Sequence, residues 1–377
     1  MGSRRRVEKK EKIKYFDYSL LFIIIFLIGF GLVMLYSVSA YEAQTHFKGD
    51  AAYYLRKQAS AAALGLVGMF IVSRIPYQFW KKVSSLAYLV SLLLCVAVIF
   101  IGRDANGSSR WLRVGGLSIQ PSEIAKIAMI IYMAALLSKM PKQMKDFSTI
   151  IKILIRVAPL IGVIAVSNLS TAIIVAGICV LMMFVTSPKY SHFLALAVLG
   201  VAAIAAGILM QGYRTDRINA WLHPEQYPDD AYQTLQGLYA IGSGGLFGKG
   251  LGGSMQKLGY VPEAQNDFIF TIICEELGLF GAVCVILLFV LLIWRFMVIA
   301  NNAPNLFAAL LVIGVMSHIA LQVVLNIAVV TNTIPSTGIT LPFISYGGTS
   351  IAILLCEMGL VLGVSRGIRF DSEHPIE

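Results

Sequence analysis

The run LLFIIIFLIGFGLVMLYSV at residues 20–38 decides the fold class. It holds no charged residue and is close to the ~20 residues that a helix needs to cross a bilayer. Before it stands a basic head containing Arg4, Arg5, Arg6, Lys9, Lys10, Lys12 and Lys14. A basic head followed by an apolar run has the look of a secretory signal, and VSA at 38–40 even resembles a cleavage site. The run is longer than the roughly 7–15 residues of a signal's apolar region, and further apolar runs follow, so an uncleaved first helix is predicted.

Working outward, apolar runs recur at residues 18–39, 58–75, 83–101, 123–138, 151–166, 171–186, 193–210, 268–296, 306–330 and 349–364. An all-α polytopic membrane protein of about ten transmembrane helices is expected. The fourth, fifth and sixth runs are short. Only SNLS at 167–170 separates the fifth from the sixth, so these two are expected as a broken helix pair, tolerated where protein or a cavity covers the loose backbone. Composition agrees with the class: 58% of the 377 residues are hydrophobic and 13% charged, with mean hydropathy +0.78. Soluble domains carry about a quarter charged residues.

The net charge of +10 is informative through its placement. Besides the head, Arg74, Lys81, Lys82, Lys139, Lys142, Lys145, Lys152, Lys189, Arg295, Arg366 and Arg369 fall on one side of the predicted membrane. By the positive-inside rule that side is cytoplasmic, and both termini lie there. These residues flank apolar spans and form no single basic face, which argues against nucleic-acid binding. The predicted organisation is a basic cytoplasmic N-terminus at 1–17, a transmembrane domain at 18–369 and a short cytoplasmic tail at 370–377. The five cysteines show no C-x-x-C spacing, so neither a disulfide framework nor a zinc site is indicated.

The outer side receives the long connections, 40–57, 102–122, 211–267 and 331–348. The third, between helices 7 and 8, is too long to be an idle connection. It ends in VPEAQNDFIFTIICEE at 261–276, where one carboxylate, Asp267, stands at the join between polar loop and apolar helix. Asp267 has two readings: a helix cap, which aspartate makes by accepting backbone N–H bonds, or a reactive acid at the outer water–lipid boundary. Glu123 and Lys126, three residues apart, share a helix face; they either neutralise one another or leave Lys126 to hold an anion in a cavity. Arg110, Arg113, Arg214, Arg217, Lys249 and Lys257 all fall outside, against the usual bias, which points to an anionic partner or lipid head groups there. His318, Gln322 and Asn326 make a polar stripe every four residues, best explained by hydrogen bonds between helices. Glu275, Glu276 and Glu357 are embedded carboxylates that need partners. The glycine-rich stretch GSGGLFGKG at 242–250 fails as a phosphate loop, because Ser243 replaces its first required glycine and Gly250 its Ser or Thr; close backbone packing is the better reading.

Several stretches together resemble the SEDS family, whose members include FtsW, RodA and SpoVE. They are GSSRWL at 107–112, SIQPSEIAK at 118–126, RINAWL at 217–222, residues 232–276, and PSTGITLPFISYGGTS at 335–350. The resemblance runs from about residue 18 to 369. Thr340 and YSVSA at 36–40 lean towards the FtsW/SpoVE branch. One departure is SNLST at 167–171, where relatives often have an acidic, proline-containing turn.

The resemblance implies a peptidoglycan glycosyltransferase that polymerises lipid II at the outer face of the bacterial cytoplasmic membrane, in cell division or sporulation. It implies a class B penicillin-binding protein as partner, together with other division or elongation machinery. The family's essential carboxylate falls on Asp267, and its motif residues on Arg110, Glu123 and Lys126. Arg214 and Arg217 are further candidates for gripping pyrophosphate, with a divalent cation (Mg or Mn) as a possible cofactor. The rival reading is a lipid II flippase, supported by the embedded carboxylates and the expected broken helix pair.

Overall fold

The computed structural model describes residues 13–105, 108–114, 117–209 and 218–370. Helices stand at each of the ten apolar runs: α1 (Tyr18–His46), α2 (Tyr53–Arg74), α3 (Tyr77–Ile101), α4 (Pro121–Leu137), α5 (Phe147–Ser167), α6 (Leu169–Thr186) and α7 (Ser191–Leu209). After α8 (Pro228–Ser243), within the long connection, come α9 (Ile269–Asn301), α10 (Leu306–Val330) and α11 (Thr349–Ser365). Seven of these, α1, α2, α3, α5, α6, α9 and α10, are long and apolar enough to cross a membrane.

The first helix shows why. Leu20, Ile24, Leu27 and Leu35 are buried, while Phe22, Ile25, Phe26 and Val33 face outward. A helix apolar on both its inner and outer faces has no side suited to water. Asp17 starts it, its carboxylate accepting from Leu20 N at 2.8 Å and pairing with Arg295 of α9 at 2.5 Å. Beside that pair, strand β1 (Ile13–Lys14) runs antiparallel to β5 (Arg369–Phe370). The two ends of the transmembrane region therefore meet on one side of the molecule.

Three expectations change. The connection after α3 is not plain loop: β2 (Arg103–Ala105), β3 (Ser108–Val114) and β4 (Leu117–Ile119) form an antiparallel sheet, so the chain is not purely α. The Thr349 hydroxyl at the start of α11 donates to Ser118 O at 2.6 Å, seating the sheet above the bundle. Next, α5 and α6 are not half-helices but full helices of 21 and 18 residues, joined at Asn168, whose side chain accepts from Thr171 N. Finally, the eighth run is not one continuous helix. Gly278, with φ 67 and ψ −169, interrupts α9.

The segment between α10 and α11 enters the interior. Leu341, Phe343, Ile344 and Ser345 are buried, and a Cβ on Gly31, halfway along α1, would lie 2.6 Å from Phe343 O. Non-helical backbone at that depth must have its polar groups satisfied. The Gln58 amide does this, donating to Ser345 O at 3.0 Å and accepting from Gly347 N and Gly348 N at 3.2 and 3.3 Å.

Candidate functional site

Asp267 is partly buried at the entrance to α9. The cap position of that helix falls on Phe268, one residue after Asp267, and carries no side-chain cap bond. Its backbone is fixed from α10: Asn326 Nδ2 donates to Asp267 O at 2.8 Å and to Ile339 O at 2.7 Å. One residue before Ile339, the exposed Gly338 takes φ +66, and a Cβ there would stand 3.7 Å from Asp267 Oδ2. The carboxylate thus sits against a backbone turn that favours glycine.

One turn back along α10, Gln322 Nε2 donates to Thr340 O at 2.9 Å. Its Oε1 accepts from Lys126 Nζ at 3.4 Å. Lys126 also pairs with Glu123 at 2.9 Å, the lysine side chain being 4% exposed. The mutual-neutralisation reading of this pair is observed, and Glu123 and Lys126 also line a cavity of about 30 Å³ with His318, Gln322 and Glu357. That volume suits roughly one or two waters. The stripe on α10 does bond, as expected, but its partners include the re-entrant segment and the Asp267 join as well as other helices. Lys126 and the Asp267 backbone therefore contact the same face of α10, through residues about 6 Å apart along its axis.

The break at Gly278 explains the glycine-rich stretch. Lys249 N and Gly250 N donate to Glu275 O and Glu276 O, both at 2.9 Å, while Leu279 N and Phe280 N bond to Gly245 O and Leu246 O at 2.9 and 3.0 Å. The loop thus satisfies backbone groups that the interrupted helix would otherwise leave bare. Cβ atoms on Gly244 and Gly248 would lie 2.0 and 2.2 Å from carbonyl oxygens of Cys274 and Glu276, so this packing admits only glycine.

The same loop corrects the role expected for Lys249 and Lys257. Lys249 pairs with Glu275 at 2.6 Å and Lys257 with Glu276 at 2.7 Å, and both carboxylates are fully buried. Ser254 also donates to Glu275, and Ser37 to Glu276 at 2.8 Å. Lys257, 9% exposed, and Lys249, 35% exposed, thus each neutralise a buried carboxylate. Glu357 is likewise paired, with His318 at 2.9 Å. An apolar groove of about 500 Å³ opens beside Ser37 and Lys257, walled by Leu32, Val33, Tyr36 and Leu251.

Arg110 lies on β3 in the sheet that leads into α4; its side chain, like that of Arg113, is outside the described residues, as are Arg214 and Arg217 altogether. Among the described residues no three metal-ligating side chains converge. Sequence reasoning missed Gln58, although an amide inside an apolar run was the available signal. It also missed Ser170, whose hydroxyl donates to Thr337 O at 2.7 Å from the first turn of α6. Tyr346, whose backbone N–H donates to Gln265 O at 2.8 Å, has its phenol held above the usual range by burial.

Comparison with known proteins gives a consistent result. The model of the cell cycle protein family of FtsW, RodA and SpoVE matches residues 18–369. Stage V sporulation protein E of Bacillus subtilis is 40% identical, over 94% of this chain and 98% of that protein. A probable peptidoglycan glycosyltransferase FtsW of Trichlorobacter lovleyi is 36% identical, over 96% of each. Among solved structures, a chain from a peptidoglycan synthase complex that coordinates polymerization and crosslinking superposes with TM-score 0.78 at 27% identity, covering 95% of this chain and 99% of that one. The rod shape determining protein RodA of Thermus thermophilus gives 0.70 at 27% identity, covering 94% and 97%.

Proposed function

The chain belongs to the cell cycle protein family of FtsW, RodA and SpoVE, and from that premise we infer that it is a peptidoglycan glycosyltransferase that polymerises lipid II in cell division or sporulation. The reading places ten helices across the bacterial cytoplasmic membrane, both termini inside and the Asp267 end outside. Residues 18–369 form the catalytic domain in this reading.

Asp267 is the general base. It accepts the proton of the 4-hydroxyl on an incoming lipid II sugar as that oxygen attacks C1 of the growing strand. The C1–oxygen bond to undecaprenyl pyrophosphate breaks, and the configuration at C1 inverts. A positioned base contributes about 10²–10⁴-fold. Lys126, neutralised at rest by Glu123, meets the charge that develops on the departing pyrophosphate, with Arg110, Arg214 and Arg217 as further cations. Fixed charges aimed at a leaving group are often the largest single contribution. Were a divalent cation such as Mg or Mn used, Asp267 is the carboxylate that would hold it, and it would supply positive charge against the departing pyrophosphate.

The observation that carries the proposal is the shared face of α10, where Gln322 touches Lys126 and Asn326 holds the Asp267 backbone. The apolar groove beside Tyr36 and Leu251 is suited to a polyprenyl chain. The resemblance to a chain from a synthase complex supports a cross-linking partner, which we take to be a class B penicillin-binding protein. The flippase reading loses its main support, because Glu275, Glu276 and Glu357 are all paired. The two readings separate when detergent-solubilised protein is given lipid II with no second compartment. Polymer is expected; no polymer, alongside lipid II scrambling in liposomes, would favour the carrier.

A further inference from the structure

We propose that His318 is a positioning residue for Lys126, acting through the side chain of Gln322. The backbone oxygen of Thr340 can only accept, so the Gln322 atom 2.9 Å from it is the amide nitrogen. The other end of that amide, Oε1, is thereby fixed as an acceptor, and it faces two groups: Lys126 Nζ at 3.4 Å and His318 Nε2 at 2.8 Å. Nε2 must therefore carry a hydrogen.

On the far side of the ring, Nδ1 lies 2.9 Å from both carboxylate oxygens of Glu357. The proton between them belongs to the pair, whether it sits on nitrogen or oxygen, and the pair is neutral overall. That neutrality lets His318 and Glu357 stay 2% and 1% exposed without the cost of an unmatched buried charge. Glu357, on α11, sets which ring nitrogen faces α10, much as a carboxylate orients an imidazole elsewhere.

The consequence falls on Lys126. A flipped Gln322 amide would turn its NH₂ towards the ammonium and repel it. Both Thr340 O and the His318 N–H oppose that flip. Lys126 is thus held between two acceptors, Glu123 and Gln322, at the wall of the cavity. Neither His318 nor Glu357 is given a proton-transfer step; they act by fixing the amide.

The positioning role rests on Lys126 meeting the leaving pyrophosphate, but its first test does not. Full-length protein labelled with ¹⁵N-histidine, in lipid bilayers at neutral pH, is compared with His318→Gln to assign the ring signals. A protonated Nε2 is expected, and a bare Nε2 overturns the proposal. The second test is kinetic. The pair H318L/E357L removes the ring without stranding a carboxylate, and is expected to lower kcat for lipid II polymerisation about tenfold, the scale of a small misplacement, with KM within about twofold. H318Q/E357Q keeps an amide N–H that can face Gln322 and should recover most of the loss. Wild-type kcat in the leucine pair, or no recovery in the glutamine pair, overturns the proposal. Should the leucine pair fail to fold, the ring spectrum decides. A wild-type protein that makes no polymer would refute the glycosyltransferase reading, and the state of Nε2 would still decide the position of the amide.

Discussion

Asn326 Nδ2 bonds to the carbonyl of Asp267 at 2.8 Å and to that of Ile339 at 2.7 Å, joining in one amide the start of α9 and the buried segment before α11. Both acceptors are carbonyls, so the group facing them has to be a donor. Asn326→Asp keeps the shape and removes the donor. It should lower polymerisation at least tenfold and destabilise the protein by about 1–3 kcal/mol for each carbonyl left unpaired. Thermal unfolding in detergent together with a lipid II polymerisation assay measures both effects.

Lys126→Ala removes the buried cation that pairs with Glu123. It should abolish glycan synthesis, while Lys126→Arg retains partial activity because charge survives but geometry does not. Gel analysis of product from matched amounts of each variant measures this. Full activity in the alanine variant would remove Lys126 from the mechanism.

The Lys257–Glu276 pair is buried on both sides, at 9% and 0% side-chain exposure. Lys257→Met strands the carboxylate and should cost about 3–5 kcal/mol, whereas Lys257→Met with Glu276→Gln should recover much of that loss. The recovery separates an ion-pair role from a substrate-binding role for Lys257. Unfolding midpoints of the wild type and the two variants supply the comparison.

Gly278→Ala meets two obstacles at once. The backbone conformation, φ 67 and ψ −169, is open essentially to glycine alone and costs a residue with a side chain roughly 1–3 kcal/mol, and the new Cβ would stand 2.4 Å from Gly248 N. The variant should lose monodisperse expression, measured by fluorescence-detected size exclusion. Normal behaviour would mean that the loop and the helix break are not interlocked.

The helices were legible because spans announce themselves by length and apolarity, as at 20–38. The break at Gly278 was not, because its neighbours Leu277, Leu279 and Phe280 are apolar like those of a continuous span and the break is completed by backbone some thirty residues earlier. Lys249 and Lys257 were misjudged for a related reason. Their partners, Glu275 and Glu276, could be seen in sequence as buried acids, but only folding brings the loop to them. The stripe of His318, Gln322 and Asn326 was visible as a period of four, while its partners in the segment after α10 were not. Glu123 and Lys126, by contrast, lie one turn apart on a single helix, so their pairing could be read directly.

The base role of Asp267 is tested most directly by Asp267→Asn reconstituted in proteoliposomes with lipid II, scoring substrate binding and polymer formation in the same preparation. The substitution keeps size and hydrogen-bonding reach but cannot take up the hydroxyl proton. Binding near the wild-type level with no glycan polymer is the predicted result; polymer at the wild-type rate would contradict it.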